Sequence, residues 1–381
     1  MHTNQHSMCT LRQPRKLLWT QHTEAAQPQR ARPAMASGLA SQPSDTRLLD
    51  LDSDQSPREP KAPHRHHQQA TPALNRMHPG RTACHAMSTE HESSLEALSA
   101  KGVRQIAITW DNHAGESLVK VVPLRRWQLA IDVGVGFSPI SDAFRSDGRI
   151  DPAHRLTRPD GDLRLKADPS SLAMLDPQQG WAWAAGERWD PISGEAYGAD
   201  QRHFCRRMGE ALDDAGLSLT TGFELEWVVI TPDNDGSPKA VIAGGPYGAD
   251  RLIEGLDYAS ALLEALDAAD VDWLQFHPEY GPSQFELSFA AQDPLQAADQ
   301  LIRARLVIQR VTRRFGWFSS FSAKPRLDWV GNGGHLHFSV RDSQGPLLEE
   351  GSGPYGLRPE GEALIAGVLE PTSGMVFLDN E

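Results

Sequence analysis

Cysteine is scarce in this chain: three residues in 381 (Cys9, Cys84 and Cys205), far apart and with no CxxC pair. Such a set argues against a disulfide framework and a zinc–thiolate centre. Long apolar runs are missing as well. Leu17-Leu-Trp19 is too short for the apolar part of a secretory signal, and no stretch approaches membrane-spanning length. Positive charge is in deficit, with 37 Lys and Arg against 50 Asp and Glu and a formal net charge of −13. That balance argues against a general nucleic-acid binder. A cytoplasmic protein without membrane or nucleic-acid partners is the expectation.

What basic charge there is gathers at the start: residues 1–86 hold eleven Lys and Arg against six acids, so the remainder is strongly acidic. This opening is rich in Pro, Gln, Ser, Arg and His without a sustained period, and residues 1–88 are read as a disordered extension dispensable before Met87. The His64, His66 and His67 cluster within it reads as part of a polar tract rather than a metal site. From Val103 the pattern changes. Ile106, Ile108 and Trp110 alternate, Asp111-Asn-His-Ala-Gly115 supplies turn chemistry, and Ser117 to Val122 runs extended into Pro123, which predicts a hairpin. Further short strands are expected over Leu163–Leu175 and around Trp181-Ala-Trp183, giving a small β-rich domain. After Asp200 helices alternate with strands. Phe204, Met208, Ala211, Leu212 and Ala215 lie at helical spacing up to Gly216, and Leu256–Ala269 forms a second helical stretch. A third begins with Asp293 as N-cap and Pro294 at the first position, with Leu301, Ala304, Ile308, Val311 and Phe315 in one stripe. Its arginines (Arg303, Arg305, Arg310, Arg313, Arg314) are expected on a solvated or subunit-contacting face.

Three segments carry metal-ligand side chains at strand spacing: Gly222-Phe-Glu-Leu-Glu-Trp-Val228, Glu279-Tyr-Gly-Pro-Ser-Gln-Phe-Glu286 and Gly333-Gly-His-Leu-His-Phe-Ser339. Strand side chains alternate between faces, so Glu224 and Glu226 project together, as do Gln284 and Glu286, and His335, His337 and Ser339. Phe223, Leu225, Trp227, Phe285, Leu287, Leu336 and Phe338 point the other way, towards a dry underside. A sheet with one solvated face alternates in the same way. No segment contains a Lys or Arg, however, and like charges side by side need a compensating cation. Oxygen-dominated ligands with imidazole suit Mg²⁺ or Mn²⁺, and this many acids suit two ions. Magnesium with open positions is typical of phosphoryl transfer, and Gly331-Asn-Gly-Gly334 lets backbone amides approach an anion.

The ordered Glu-x-Glu strand, the Glu-Tyr-Gly-Pro-Ser-Gln-Phe-Glu segment, Lys324-Pro325 and Gly-Asn-Gly-Gly-His-Leu-His-Phe-Ser together resemble the glutamine synthetase family. The likeness runs from about Lys101 to about Leu369. It implies an α+β fold: a β-grasp N-terminal domain over 89–200, then a catalytic domain of antiparallel sheet packed with helices over 201–381. It implies an ATP-dependent ligase that phosphorylates the glutamate side-chain carboxylate and lets ammonia or an amine displace phosphate. Glu226, Glu279 and Glu286 would hold one divalent ion, and Glu224 and His335 the other. His337 and Ser339 would contact ATP, and Gly331 would lie on the glutamate-binding loop. Where ammonia-using members carry an acid, this chain has Gly136-Phe-Ser-Pro-Ile140, which points to an amine such as a polyamine, with Asp132 as an alternative acid. The family's later arginines, acidic flap and final glutamate ligand have no counterpart, so the catalytic domain is expected to be incomplete at its C-terminus. The competing expectation is a non-catalytic relative that binds nucleotide or assembles with intact subunits. A metal-binding sheet without ATP chemistry would leave Lys324-Pro325 and the glycine run unexplained. Family members form rings, so a homo-oligomer is implied.

Overall fold

The structure is a computed structural model that describes residues 95–375, apart from 114, 146, 151–155, 157–160 and 177–179. The expectations for residues 1–88, including the His64, His66 and His67 tract, lie outside the described residues. So does the chain beyond residue 375.

A short helix, α1 (Leu95–Ala100), precedes a six-stranded sheet: β1 (Gln105–Asp111), β2 (Ser117–Pro123), β3 (Val135–Phe137), β4 (Leu163–Ala167), β5 (Ala173–Asp176) and β6 (Trp181–Trp189). The order is β2-β1-β6-β4-β3, with β5 also on β6. The expected hairpin is β1 and β2, in register from Gln105↔Pro123 to Asp111↔Ser117. β1 and β6 are parallel; the other pairs are antiparallel. Ile106, Ile108, Leu165, Ala182 and Ala184 form the core with Trp127 of helix α2 (Trp127–Asp132). Each large aliphatic buried here contributes about 1.5–3 kcal/mol relative to exposure.

The second sheet has seven strands: β7 (Ser218–Pro232), β8 (Pro238–Ala240), β9 (Trp273–Pro278), β10 (Gln284–Phe289), β11 (Phe318–Ser320), β12 (Gly334–Asp342) and β13 (Gly345–Pro346). The path is β13-β12-β7-β10-β9, with β8 and β11 on the distal half of the long β7. All its pairings are antiparallel. Its helices are α3 (Gln201–Asp214), α4 (Ala249–Glu254), α5 (Leu256–Ala268), α6 (Pro294–Arg314) and α7 (Pro359–Met375). α6 starts as its sequence predicts: the Asp293 side chain accepts from the Leu295 and Gln296 amides, with Pro294 at the first position. Ala304, Ile308 and Val311 of its stripe pack with Leu262 and Leu266 of α5 against Trp227, Phe285 and Leu287. Trp227 Nε1 donates to Tyr258 Oη at 3.1 Å, so the indole satisfies its only donor within the core.

The structure adds one point on α3 and corrects two expectations. The helix expected from Phe204, Met208, Ala211 and Leu212 is present as α3, but its spacing does not mark a buried face: Phe204 is 52% exposed and Met208 42%, and no residue of this helix is buried. α3 docks through its charged side instead. Arg202 pairs with Asp168, Glu187 and Asp299, and Arg206 with Asp168 and Glu187. Arg303 and Arg305 of α6 are likewise not simply solvated; both are desolvated, Arg303 over the Trp183 ring and Arg305 over Phe321. Finally, the underside of the second sheet is dry beneath β7 and β10 but not at β12, where Leu336 is 55% exposed and Phe338 36%. β12 has β7 along one edge, whereas β13 pairs only with Arg341 and Asp342 on the other.

Candidate metal and nucleotide site

Strand register assembles the face. Antiparallel pairing of β7 with β12 sets Glu224 opposite His335, and pairing with β10 sets Glu226 opposite Glu286. β9 completes the row by placing His277 opposite Glu286. The side chains converge in two triads, in each of which one ligand atom per residue lies within 4.8 Å of the others: Glu224, His335 and His337, and His277, Glu279 and Glu286. In the first, His335 Nδ1 is 2.6 Å and His337 Nε2 3.3 Å from Glu224 Oε2. In the second, His277 Nδ1 is 3.6 Å from Glu279 Oε1 and His277 Nε2 is 3.5 Å from Glu286 Oε1.

Glu226 stands outside both triads. Its Oε2 accepts from Gln284 Nε2 at 2.8 Å, and the same amide nitrogen donates to the Gly331 carbonyl at 2.9 Å and to Asn332 Oδ1 at 3.0 Å. The fully buried Gln284 thus ties β10 to both Glu226 and the glycine-rich loop. Gly331 must be glycine, because a Cβ there would sit 2.5 Å from the Ala323 carbonyl oxygen. The turn bearing Glu279 is held by buried Arg251, which donates to the carbonyls of Glu279 and Gly244. Ser339 shares a cavity of about 530 Å³ with Phe223, Glu224, Leu274, Gln275 and His337.

Electrostatics favour a cation. Burial pushes the Glu286 carboxyl above its ordinary range; His277 opposes this, while Glu224, Glu279 and Glu226 add to it. The hydrogen bond that His335 donates to Glu224 raises the His335 pKa above 6.5, and the same bond lowers that of Glu224. The donor set, carboxylate oxygens and imidazole nitrogens without thiolate, fits Mg²⁺ or Mn²⁺. Because a ligating imidazole must be neutral, affinity falls as pH drops through the raised His335 pKa. Mn²⁺ titration followed by electron paramagnetic resonance at pH 8 and pH 6 is expected to show weaker binding at pH 6; equal affinity would count against His335 as a ligand. Gly333 borders the same centre: a Cβ there would lie 2.4 Å from Glu226 Oε1 and 3.3 Å from His335 Nε2. Gly333→Ala is therefore expected to weaken Mn²⁺ binding about 10–100-fold in calorimetry while the protein stays folded. Unchanged affinity would show that the Glu226 carboxylate can move away freely.

All eight residues singled out in the sequence lie on or beside this face, but three participants were missed. His277 was legible, since Gln275 and His277 alternate with Phe276 immediately before Glu279. Gln284 was placed on the right face without its bridging role. Tyr247 had no local signal. It sits in a loop at φ +51°, its ring centroid 5.6 Å from that of His277 and 4.9 Å from that of Tyr280, and the hydrogen bond its hydroxyl makes to Glu279 raises its pKa.

Residues 198–380 match the family model described as "Glutamine synthetase, catalytic domain". The γ-glutamylpolyamine synthetase GlnA3 of Streptomyces coelicolor is 39% identical over 274 residues, 71% of this chain and 59% of that protein. Glutamine synthetase of Thermococcus kodakarensis is 28% identical over 265 residues, 68% of this chain and 55% of that protein. A crystal structure of a novel glutamine synthase homologue superposes with a TM-score of 0.64 at 26% identity, covering 70% of this chain and 62% of that one. The chain thus spans somewhat over half the length of the curated relatives it matches. The matched segment contains the whole face built by β7, β9, β10 and β12, and the chain belongs to the glutamine synthetase family.

Proposed function

We propose that the chain carries the metal- and nucleotide-binding face of a ligase that joins the side-chain carboxylate of glutamate to an amine, with γ-glutamyl phosphate as intermediate and ATP as phosphoryl donor. The observation that carries this reading is the pair of ligand triads on neighbouring strands of one sheet face. Glu279 and Glu286, with Glu226 alongside, hold one divalent ion, and Glu224 and His335 the other. Such ions, when bound, neutralise the phosphate oxygens in flight. His337 and Ser339 face the cavity large enough for a nucleotide. Gln284 fixes the Gly331–Asn332 loop, where glutamate binds. The β1–β6 layer serves as the family's β-grasp domain.

An amine rather than ammonia is the preferred acceptor. Tyr247 and Tyr280, both more than half exposed, stand edge to face beside Glu279 and His277. Exposed aromatic rings at the rim of the face suit an ammonium group that carries a hydrocarbon chain. The relation to a protein named γ-glutamylpolyamine synthetase points the same way.

Phosphate release from ATP tests the proposal, with glutamate and either spermidine or ammonium chloride present. Release should require glutamate and an acceptor, with spermidine the better one; release with ammonium alone would overturn the amine assignment. A second reading has its own support in the edge of β12 that is mostly unpaired among the described residues and in the exposed apolar side of that strand, which favour assembly with other family subunits into an oligomer. ATP binding without turnover would select that reading.

A further inference from the structure

Away from the metal face, a cavity of about 430 Å³ opens between the first sheet and helices α3 and α6. Its walls are apolar where Trp110, Trp183, Leu295 and Ile302 line it. Most of its charged lining is already compensated. Arg202 holds Asp299 through both carboxylate oxygens, and Asp200 accepts from Arg188 and from the His203 amide. Two groups of opposite sign are left over. Asp111 accepts one hydrogen bond, from Ser117 Oγ at 2.6 Å, and its other carboxylate oxygen has no partner among the described residues. The Arg305 guanidinium stacks on Phe321 at 4.8 Å; among the described residues it is within ion-pair or hydrogen-bond distance of none, and the charge it feels is that of Asp111. Burial pushes the Asp111 carboxyl up and the Arg305 guanidinium down; the two attract each other through space, but no hydrogen bond joins them, and a ligand placed between them would hydrogen-bond to both.

We propose that this cavity binds a small zwitterion, an α-amino acid with an apolar side chain, whose ammonium group meets Asp111 and whose carboxylate meets Arg305 while the side chain lies against Trp110 and Trp183.

Charge and shape select this class. A simple amine or polyamine would be repelled by Arg305, and a phosphate by Asp111. An uncharged ligand would hydrogen-bond to each group more weakly than a ligand of the opposite charge does. A single molecule with both charges at one end satisfies both, and a planar guanidinium receives a carboxylate through two parallel hydrogen bonds. The volume falls in the range of small-molecule sites, and the two indoles offer the apolar wall that such sites use for affinity.

L-leucine is the probe for the full-length chain, with two readouts: tryptophan fluorescence, and the rate of iodoacetamide alkylation at Cys205, which lines the same cavity. Saturable quenching together with protection of Cys205 is expected. Isoamylamine, which lacks the carboxylate, and 4-methylpentanoate, which lacks the amine, should each bind at least about tenfold more weakly. Asp111→Asn and Arg305→Met should weaken L-leucine binding by a similar factor. If a variant fails to fold, the two analogues on the unaltered chain still decide the matter. No change in either signal up to about 10 mM L-leucine would overturn the proposal. Binding of isoamylamine or 4-methylpentanoate as tight as that of L-leucine would overturn it too.

Discussion

Glu224→Ala lowers divalent-cation affinity by more than about 100-fold and removes one of two binding events from an Mn²⁺ titration. One oxygen of this carboxylate faces two imidazoles, 2.6 Å from His335 and 3.3 Å from His337, and no other acid belongs to that triad. Its loss leaves two neutral nitrogen ligands with no anionic charge to offset the ion's dehydration. It also removes the main cause of the raised His335 pKa, so the weak binding that remains should depend less on pH. The second triad sits on β9, β10 and their connection, supplied by different residues, and should keep its affinity. Calorimetry resolving two sites before the substitution and one after it is the expected record. Two sites of unchanged affinity would show that Glu224 is an ordinary carboxylate on a wet sheet face.

Arg188→Met destabilises the fold by about 3–5 kcal/mol. The guanidinium is 1% exposed and lies between two buried carboxylates, 2.5 Å from Asp142 and 2.9 Å from Asp200, and donates also to the Ala199 carbonyl. Methionine fills much of the volume but leaves both acids unpaired in a low-dielectric interior. Asp200 additionally caps α3 by accepting from the His203 amide, so a repelled or protonated Asp200 loosens the helix start as well. Because Asp142 belongs to the first sheet's loops and Asp200 to α3, the effect should appear as a fall in the urea midpoint of the whole described body. A change below about 1 kcal/mol would place Arg188 among weakly contributing pairs.

The candidate metal face was largely readable in the sequence because strand alternation is a local property. Once Glu224 and Glu226, Gln284 and Glu286, and His335 and His337 occur at spacing two, only pairing remains to be supplied. The start of α6 was readable for the same reason: Asp293 and Pro294 act on amides within one turn. The docking face of α3 was not. Its apolar period was genuine, yet Arg202 and Arg206 gain more from carboxylates on β6, α6 and the turn after β4 than Phe204 and Met208 gain from contact, and those acids lie far away in sequence.

By itself, the sequence determined which residues could bind a hard cation, where the strands and the longest helix run, and the family to which the chain belongs. Tertiary structure alone decided how those ligands are shared: His277 joins Glu279 and Glu286, Glu226 is drawn to Gln284, and Tyr247 reaches Glu279 from a distant loop. The physical reason is range. Alternation and capping are set within a few residues, whereas which carboxylate meets which imidazole depends on strand register, and which charges remain unpaired, as at Asp111 and Arg305, depends on how the two sheets and their helices close around them.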